Sequence, residues 1–425
     1  MNKTKKIDTT IFSKDFLWGA STAGHQVEGG NYDQWTVFEL DNAAELARTA
    51  ADRLRWLPKW HKFQAEAENP DNYVAGEGID HYHRFEEDFG LLKKLRLNAF
   101  RFGIEWSRIE PKQGEWDEAA VAHYHKYIRL MKKMGIEPIL NLWHWTHPVW
   151  FETLGGFSKK QNIKLFERFV KKIANEFSDE VTYILTVNEP NVYSSLGYFI
   201  GEWPPQKRNT IKYLLTYKNL AIAHNRAYAI LKQKNPQLLI GSANQYGNHQ
   251  PARKNNKFDI GMALVTEWFW QWWFAERTKH CIDFVGMNYY FTNYYKGIRQ
   301  LNPPTPKNDL GWYMEPAGLS AVIEKAWQRY GKPVLVTENG VADADDAVRQ
   351  WWLEQTMQAL ADAQHNGARV IGYLHWSLLD NFEWKYGWWP RFGLISVDRK
   401  NNMRRTIRPS ALWWAKTLVK IKHDD

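Results

Sequence analysis

Short runs of apolar and β-branched residues recur along the whole chain, and each is followed by a stretch whose apolar positions return at helical spacing. Eight such runs predict strands over residues 16–20, 99–106, 137–145, 182–188, 238–244, 283–290, 333–339 and 370–376. Amphipathic segments at 82–96, 119–134, 159–176, 213–234 and 347–366 predict intervening helices, and 409–420 a last one. Asn366-Gly367 supplies a helix-ending signal immediately before a strand resumes. Eight βα units in a row predict an α/β fold, a (β/α)8 TIM barrel in one domain spanning residues 1–425. A doubly wound nucleotide-binding sheet is disfavoured. No G-x-G-x-x-G follows the first strand, where Gly19 and Gly24 lead instead into His25-Gln26-Val27-Glu28. No linker rich in Pro, Gly or Ser divides the chain.

The predicted strands begin apolar and end polar, acidic or aromatic: His144-Trp145, Asn188-Glu189, Asn288-Tyr289-Tyr290, Glu338-Asn339 and Trp376. A packed core accounts for the beginnings and not for the ends. In such barrels the active site is built at the C-terminal ends of the strands. Glu189, in Thr186-Val187-Asn188-Glu189-Pro190, and Glu338, in Thr337-Glu338-Asn339-Gly340, end the fourth and seventh runs and so face each other across the mouth. Two converging carboxyls, one protonated and one ionised, are what glycoside hydrolysis needs. A lone Glu before Pro would read as a turn residue; two on facing strands, each beside Asn, do not.

Composition narrows the field further. The formal charge is +9, from 56 basic and 47 acidic residues, but both signs are interspersed and no nucleic-acid motif accompanies them. Cys281 is the only cysteine, so no intrachain disulfide forms. No stretch approaches the roughly 20 apolar residues of a bilayer helix. The basic start, Met1 to Lys6, is followed by polar Asp8-Thr9-Thr10, which predicts a cytoplasmic protein. The 24 tryptophans exceed ordinary usage; part of them fills the core, and stacking platforms for flat apolar ligand faces are the functional counterpart.

These motifs together resemble family 1 glycoside hydrolases, the β-glucosidase and β-galactosidase family of retaining (β/α)8 enzymes. The resemblance opens at Phe16-Leu17-Trp18-Gly19-Ala20-Ser21-Thr22-Ala23 and Gln26-Val27-Glu28-Gly29, and runs through Phe100-Arg101-Phe102-Gly103-Ile104-Glu105-Trp106-Ser107-Arg108-Ile109. It continues at His144-Trp145, Asn188-Glu189-Pro190, Asn288-Tyr289-Tyr290 and Glu338-Asn339-Gly340. It closes on His375-Trp376-Ser377-Leu378-Leu379-Asp380-Asn381-Phe382-Glu383-Trp384 and Arg391-Phe392-Gly393-Leu394. Each motif alone is weak; the series in order is specific.

The resemblance implies that Glu189 is the general acid/base and Glu338 the nucleophile, with Arg101 and Tyr290 touching the Glu338 carboxylate. It implies a hydroxyl-binding set of Gln26, His144, Trp145, Asn188, Asn288, Glu383 and Trp384, with Trp376 as the platform under the sugar. Glu383 stands where relatives acting on 6-phosphorylated sugars lack a carboxylate, which predicts unphosphorylated substrates. The implied activity is exo-acting, retaining hydrolysis of terminal β-glucosides, β-fucosides or β-galactosides from small glycosides or short oligosaccharides. No cofactor or metal is needed, and neither nucleic acid nor membrane is a partner. A transglycosylase or β-mannosidase on the same machinery is the alternative. A non-hydrolytic sugar-binding barrel is disfavoured, since both Glu occur with Arg101 and Tyr290.

Three stretches depart from the pattern. Thr146-His147-Pro148 follows His144-Trp145, and strand alternation would put His144 and His147 on opposite faces, against a metal site. Residues 258–281 look compressed, predicting a more open entrance there. Residues 41–69 predict a helical insertion in the first βα loop, where Trp56, Trp60 and Phe63 are expected to pack it onto the barrel, an aglycone subsite being the alternative. One or two of Trp268, Trp270, Trp272, Trp273, Trp388 and Trp389 are expected on the leaving-group side.

Overall fold

The protein is described by a computed structural model covering residues 8–423, so the basic start, Met1 to Lys6, lies outside the described residues. Eight parallel strands form the barrel: β1 (Leu17–Ser21), β2 (Ala99–Gly103), β3 (Glu137–Asn141), β4 (Tyr183–Asn188), β5 (Leu239–Pro251), β6 (Val285–Lys296), β7 (Val334–Asn339) and β8 (Val370–Trp376). Each pairs with its neighbour in chain order, and β8 closes onto β1 with Leu17 opposite Gly372 and Ser21 opposite Trp376. The strands are nearly all buried because helices cover the barrel, which explains why they read as continuous apolar runs.

The packing helices follow the expected register. Glu118–Lys133 is capped by the Asp117 side chain on the Ala120 N–H, and Ile163–Phe177 buries Phe166, Phe169, Val170 and Ile173 on one face. Arg349–His365 ends at Asn366 with Gly367 at φ 90°, a conformation glycine adopts without strain. The lower end of the barrel holds an apolar layer of Leu17, Ala99, Ile139, Leu185, Ala243, Phe284, Leu335 and Leu374.

Several boundaries differ from the sequence reading. The second strand ends at Gly103, and Trp106 begins the short helix Trp106–Ile109 instead of closing the strand. The third ends at Asn141, so His144, Trp145 and His147 lie in the following loop, where Trp145 takes φ 73°. Strand alternation therefore does not govern the two histidines. His147 is held away by its own partner, with Nε2 on Glu152 at 2.9 Å. In contrast, β5 and β6 run well past the expected ends, because they pair with each other from Asn248–Thr292 to Pro251–Tyr295 above the mouth. Their polar residues there hid the strand period.

The first βα loop is helical from Gln34, earlier than expected, because Asp33 and Thr36 form a reciprocal capping box. Helices Gln34–Arg48, Ala50–Leu54 and Trp60–Ala67 then cross toward the mouth. Phe63 stacks on Trp389 at 3.9 Å and Trp60 meets Phe63 edge-on, as packing residues should. Trp56 departs from that role and is 63% exposed. Among the described residues no helix is long and apolar enough to cross a membrane.

Candidate active site

The C-terminal strand ends enclose a cavity of about 590 Å³. Glu189, Glu338, Tyr290, His144, Trp145, Trp376, Glu383 and Trp384 line it directly. Arg101, Asn188, Asn288 and Gln26 lie buried just behind, hydrogen-bonded to lining groups or to the loop that carries them.

Backbone irregularities aim these side chains. Register shifts occur between Leu185 and Asn188, between Met287 and Asn288, and between Val336 and Asn339, the residues just before or at the polar ends. Glu189 sits one residue beyond β4 at φ 42°, ψ 59°, with Pro190 at the first position of the helix Pro190–Ser194. A non-glycine residue held there costs about 1–3 kcal/mol, which the surrounding structure supports through the Glu189 N–H bond to Ala243 O at 2.7 Å. Trp145 and Trp384 have positive φ as well. Gly340 follows Glu338-Asn339 because any Cβ there would collide with the Trp376 carbonyl oxygen, 1.8 Å away.

One hydrogen-bonded chain joins the two glutamates. Arg101 donates Nη1 to Glu338 and Nη2 to Asn188 Oδ1 at 2.7 Å. Asn288 Nδ2 donates to the same Asn188 oxygen at 3.1 Å and to Glu189 Oε1 at 2.8 Å. Thr337 fixes the other side of Asn288 by donating to its Oδ1 at 2.6 Å. Tyr290 donates to the second Glu338 oxygen at 2.7 Å, and burial keeps that phenol protonated.

Burial raises the affinity of both carboxyls for a proton, and more so for Glu189. The Glu338 charge adds to the effect at Glu189, whereas Arg101 and Tyr290 oppose it at Glu338. The pair thus presents one carboxyl that strongly favours its acid form beside one whose smaller rise Arg101 and Tyr290 hold in check. Glu383 is pushed up to about 8 by burial and the Glu338 charge. His144 is held neutral by burial and Arg101; its Nε2 accepts from Asn188 at 3.0 Å, so the ring proton sits on Nδ1.

At this inner end, several buried polar atoms have no protein partner: Gln26 Oε1, His144 Nδ1, Trp145 Nε1 and Glu383 Oε2. Acceptors and donors left open around a cavity fit a ligand rimmed with hydroxyls. Behind them lies a feature the sequence motifs did not single out. His25 is buried between Asp33 on Nδ1 at 2.8 Å and Glu39 on Nε2 at 2.7 Å. Burial works against its charge, but the two carboxylates outweigh it and keep the ring protonated. The ring stacks on Trp384 at 5.6 Å and 7°. The signal was present as His25 beside Gln26, and only folding brings Asp33 and Glu39 onto it.

The outer half of the cavity is lined by Val192, Leu196, Ile200, Trp270, Phe291 and Trp312, while Trp203 lines the cavity with its ring against Trp145 and Trp384. One or two of the six tryptophans named from the sequence are expected on the leaving-group side, and Trp270 does line the cavity; Trp203 and Trp312, which line it too, were not foreseen. Trp388 and Trp389 are buried in the core. Among the described residues no group of three or more His, Cys, Asp or Glu is placed to hold a metal ion.

Barrel, mouth and paired carboxyls define a sugar-processing (β/α)8 protein, and comparison with known proteins gives the family. The profile of Glycosyl hydrolase family 1 matches residues 8–280 and 275–423, so the chain belongs to glycosyl hydrolase family 1 and is an O-glycosyl hydrolase. Among curated relatives, Beta-glucosidase A of Acetivibrio thermocellus is 28% identical over 458 aligned positions, covering 96% of this chain and 98% of the relative. Beta-glucosidase A of Thermotoga maritima is 28% identical over 452 positions, covering 95% and 97%. These alignments are longer than the chain itself, so the relatives carry residues it lacks. A solved beta-glycosidase from Pyrococcus horikoshii superimposes with a TM-score of 0.85 at 29% identity, over 97% of this chain and 96% of that one. The beta-glucosidase from Thermotoga maritima in complex with glucoimidazole gives 0.85 at 26% identity, over 97% and 99%.

Proposed function

We propose that the protein hydrolyses terminal, unphosphorylated β-D-glucosides, with β-fucosides and β-galactosides as further substrates, by a retaining double displacement. The observation that carries this reading is the hydrogen-bonded chain Glu189–Asn288–Asn188–Arg101–Glu338, which couples two unlike carboxyls at one cavity. In the first step Glu338 attacks the anomeric carbon while the glycosidic C–O bond breaks. Glu189 gives its proton to the departing oxygen, and the alcohol leaves. The sugar is then esterified to Glu338, whose charge is gone, so Glu189 holds its proton less tightly as an anion's repulsion disappears. In the second step Glu189 takes a proton from water, the water oxygen bonds to the anomeric carbon, and the ester releases Glu338 as carboxylate.

Arg101 and Tyr290 aim and stabilise the nucleophile. Asn188 meets the sugar 2-hydroxyl, a contact that strengthens in the oxocarbenium-like transition state. Gln26, His144, Trp145, Glu383 and Trp384 offer their unpaired atoms or indole edges to the remaining hydroxyls, Trp376 its face to the ring, and Asn288 orients Glu189. The relatives named beta-glucosidase favour glucose as the glycone. The single cysteine accords with a reducing, cytoplasmic setting. The test is a panel of aryl β-glycosides followed by proton NMR of the first-formed sugar. The β-anomer is expected first from a β-glucoside, and an initial α-anomer would overturn the nucleophile role of Glu338.

A further inference from the structure

The cavity is polar and open-handed at one end only. The charged and amide side chains of its outer half are already committed within the protein. Gln245 accepts from Trp270 Nε1 through Oε1 and donates Nε2 to the Tyr246 carbonyl at 2.9 Å. Lys385 pairs with Glu202 at 2.9 Å. Arg53 gives Nε to Thr49 at 3.1 Å and Nη2 to the Leu46 carbonyl at 2.6 Å. A second sugar there would face the apolar side chains of Val192, Leu196, Ile200, Trp270, Phe291 and Trp312, and each hydroxyl turned toward them would lose its water.

The apolar wall does not stop at the cavity edge. The turn Ser195–Ile200 presents Leu196 and Ile200 inward, and Ile200 is 41% exposed at the rim. Phe199 continues outward at 52% exposure with its ring against Tyr213 at 5.5 Å. The adjoining helix Thr210–Lys234 meets this ring through Tyr213. Contiguous exposed apolar surface running out of a binding cavity marks what the cavity is built to receive.

From this continuity we infer that the aglycone of the natural substrate is an elongated hydrocarbon group, lying between Trp270 and Ile200 and out over Phe199. The inference rests on the β-glucosidase reading above and names the substrate class of the same site. It is tested by measuring kcat/KM for methyl, butyl, hexyl and octyl β-D-glucoside below their micellar concentrations, with cellobiose and 4-nitrophenyl β-D-glucoside alongside. Each methylene in contact is expected to raise kcat/KM about two- to fourfold, and octyl glucoside to surpass cellobiose. The octyl-to-methyl ratio should fall about tenfold in Ile200→Asn and in Phe199→Asn, both at exposed positions. A flat chain-length series, or cellobiose as the better substrate, overturns the inference while cleavage of the nitrophenyl glucoside leaves the glucosidase reading intact. A flat series accompanied by a dimer that Phe199→Asn dissolves assigns the surface to a second copy and overturns it equally. No cleavage of any glucoside defeats the underlying reading itself.

Discussion

The two ends of the barrel are made from the same strands and do opposite things. At the lower end Ala99, Leu185 and Leu335 interdigitate in an apolar layer. Two or three residues later the same strands deliver Arg101, Asn188 and Glu338, buried and charged or polar. The lower layer stabilises by removing apolar surface from water. The upper one draws on that stability, because burying carboxyls against each other is unfavourable until Arg101, Tyr290 and Asn288 partner them. A rigid apolar base is what lets the mouth hold groups in states they would not choose in water.

That contrast can be broken from either side. At the mouth, Glu338→Gln keeps the side chain's shape but removes the carboxylate proposed to attack the sugar, and kcat should fall about 10⁴-fold or more while the melting temperature holds. Glu189→Gln should cost about 10²- to 10⁴-fold on glycosides with poor leaving groups. The loss should shrink for dinitrophenyl glucosides, whose departing oxygen needs no proton, and the alkaline limb of the pH–rate profile should vanish. Leu335→Ala at the lower end should act the other way round. It should lower stability by about 2–5 kcal/mol in denaturant titration and leave kcat within about twofold at temperatures where the variant is folded. The smallest effect is at Glu383. Its folded pKa of about 8 lies above the unfolded value, so the native state keeps a proton the unfolded chain gives up. Its contribution favours folding at low pH and is lost as pH climbs toward about 8. Glu383→Gln should therefore melt with less change between about pH 5 and about pH 9 than the wild type, by about 1–3 kcal/mol.

Much of this was legible in the sequence. The eight strands and the main helices follow from apolar periodicity, because a strand covered on both faces reads as an unbroken apolar run. Glu189 and Glu338 stood out because carboxyls at strand ends have no reason in packing. What stayed hidden depends on backbone geometry that residue patterns do not encode. The register shifts before Asn188 and at Asn288, and the left-handed turn at Glu189, decide where those side chains point. The length of β5 and β6 was masked by polar residues that pair only with each other. Trp203 and Trp312 reach the cavity from loops with no periodicity, and the His25–Asp33–Glu39 cluster is assembled by the fold of the first loop.

The central claim is that Glu338 becomes covalently bound to the sugar. Incubation with an activated 2-deoxy-2-fluoro-β-glucoside, whose fluorine slows release more than attack, followed by digestion and mass spectrometry, reads this directly. A fluoroglucosyl adduct on the peptide carrying Glu338, absent in Glu338→Gln, is the predicted result. Turnover of β-glucosides with no adduct, or an adduct on any other residue, would contradict it.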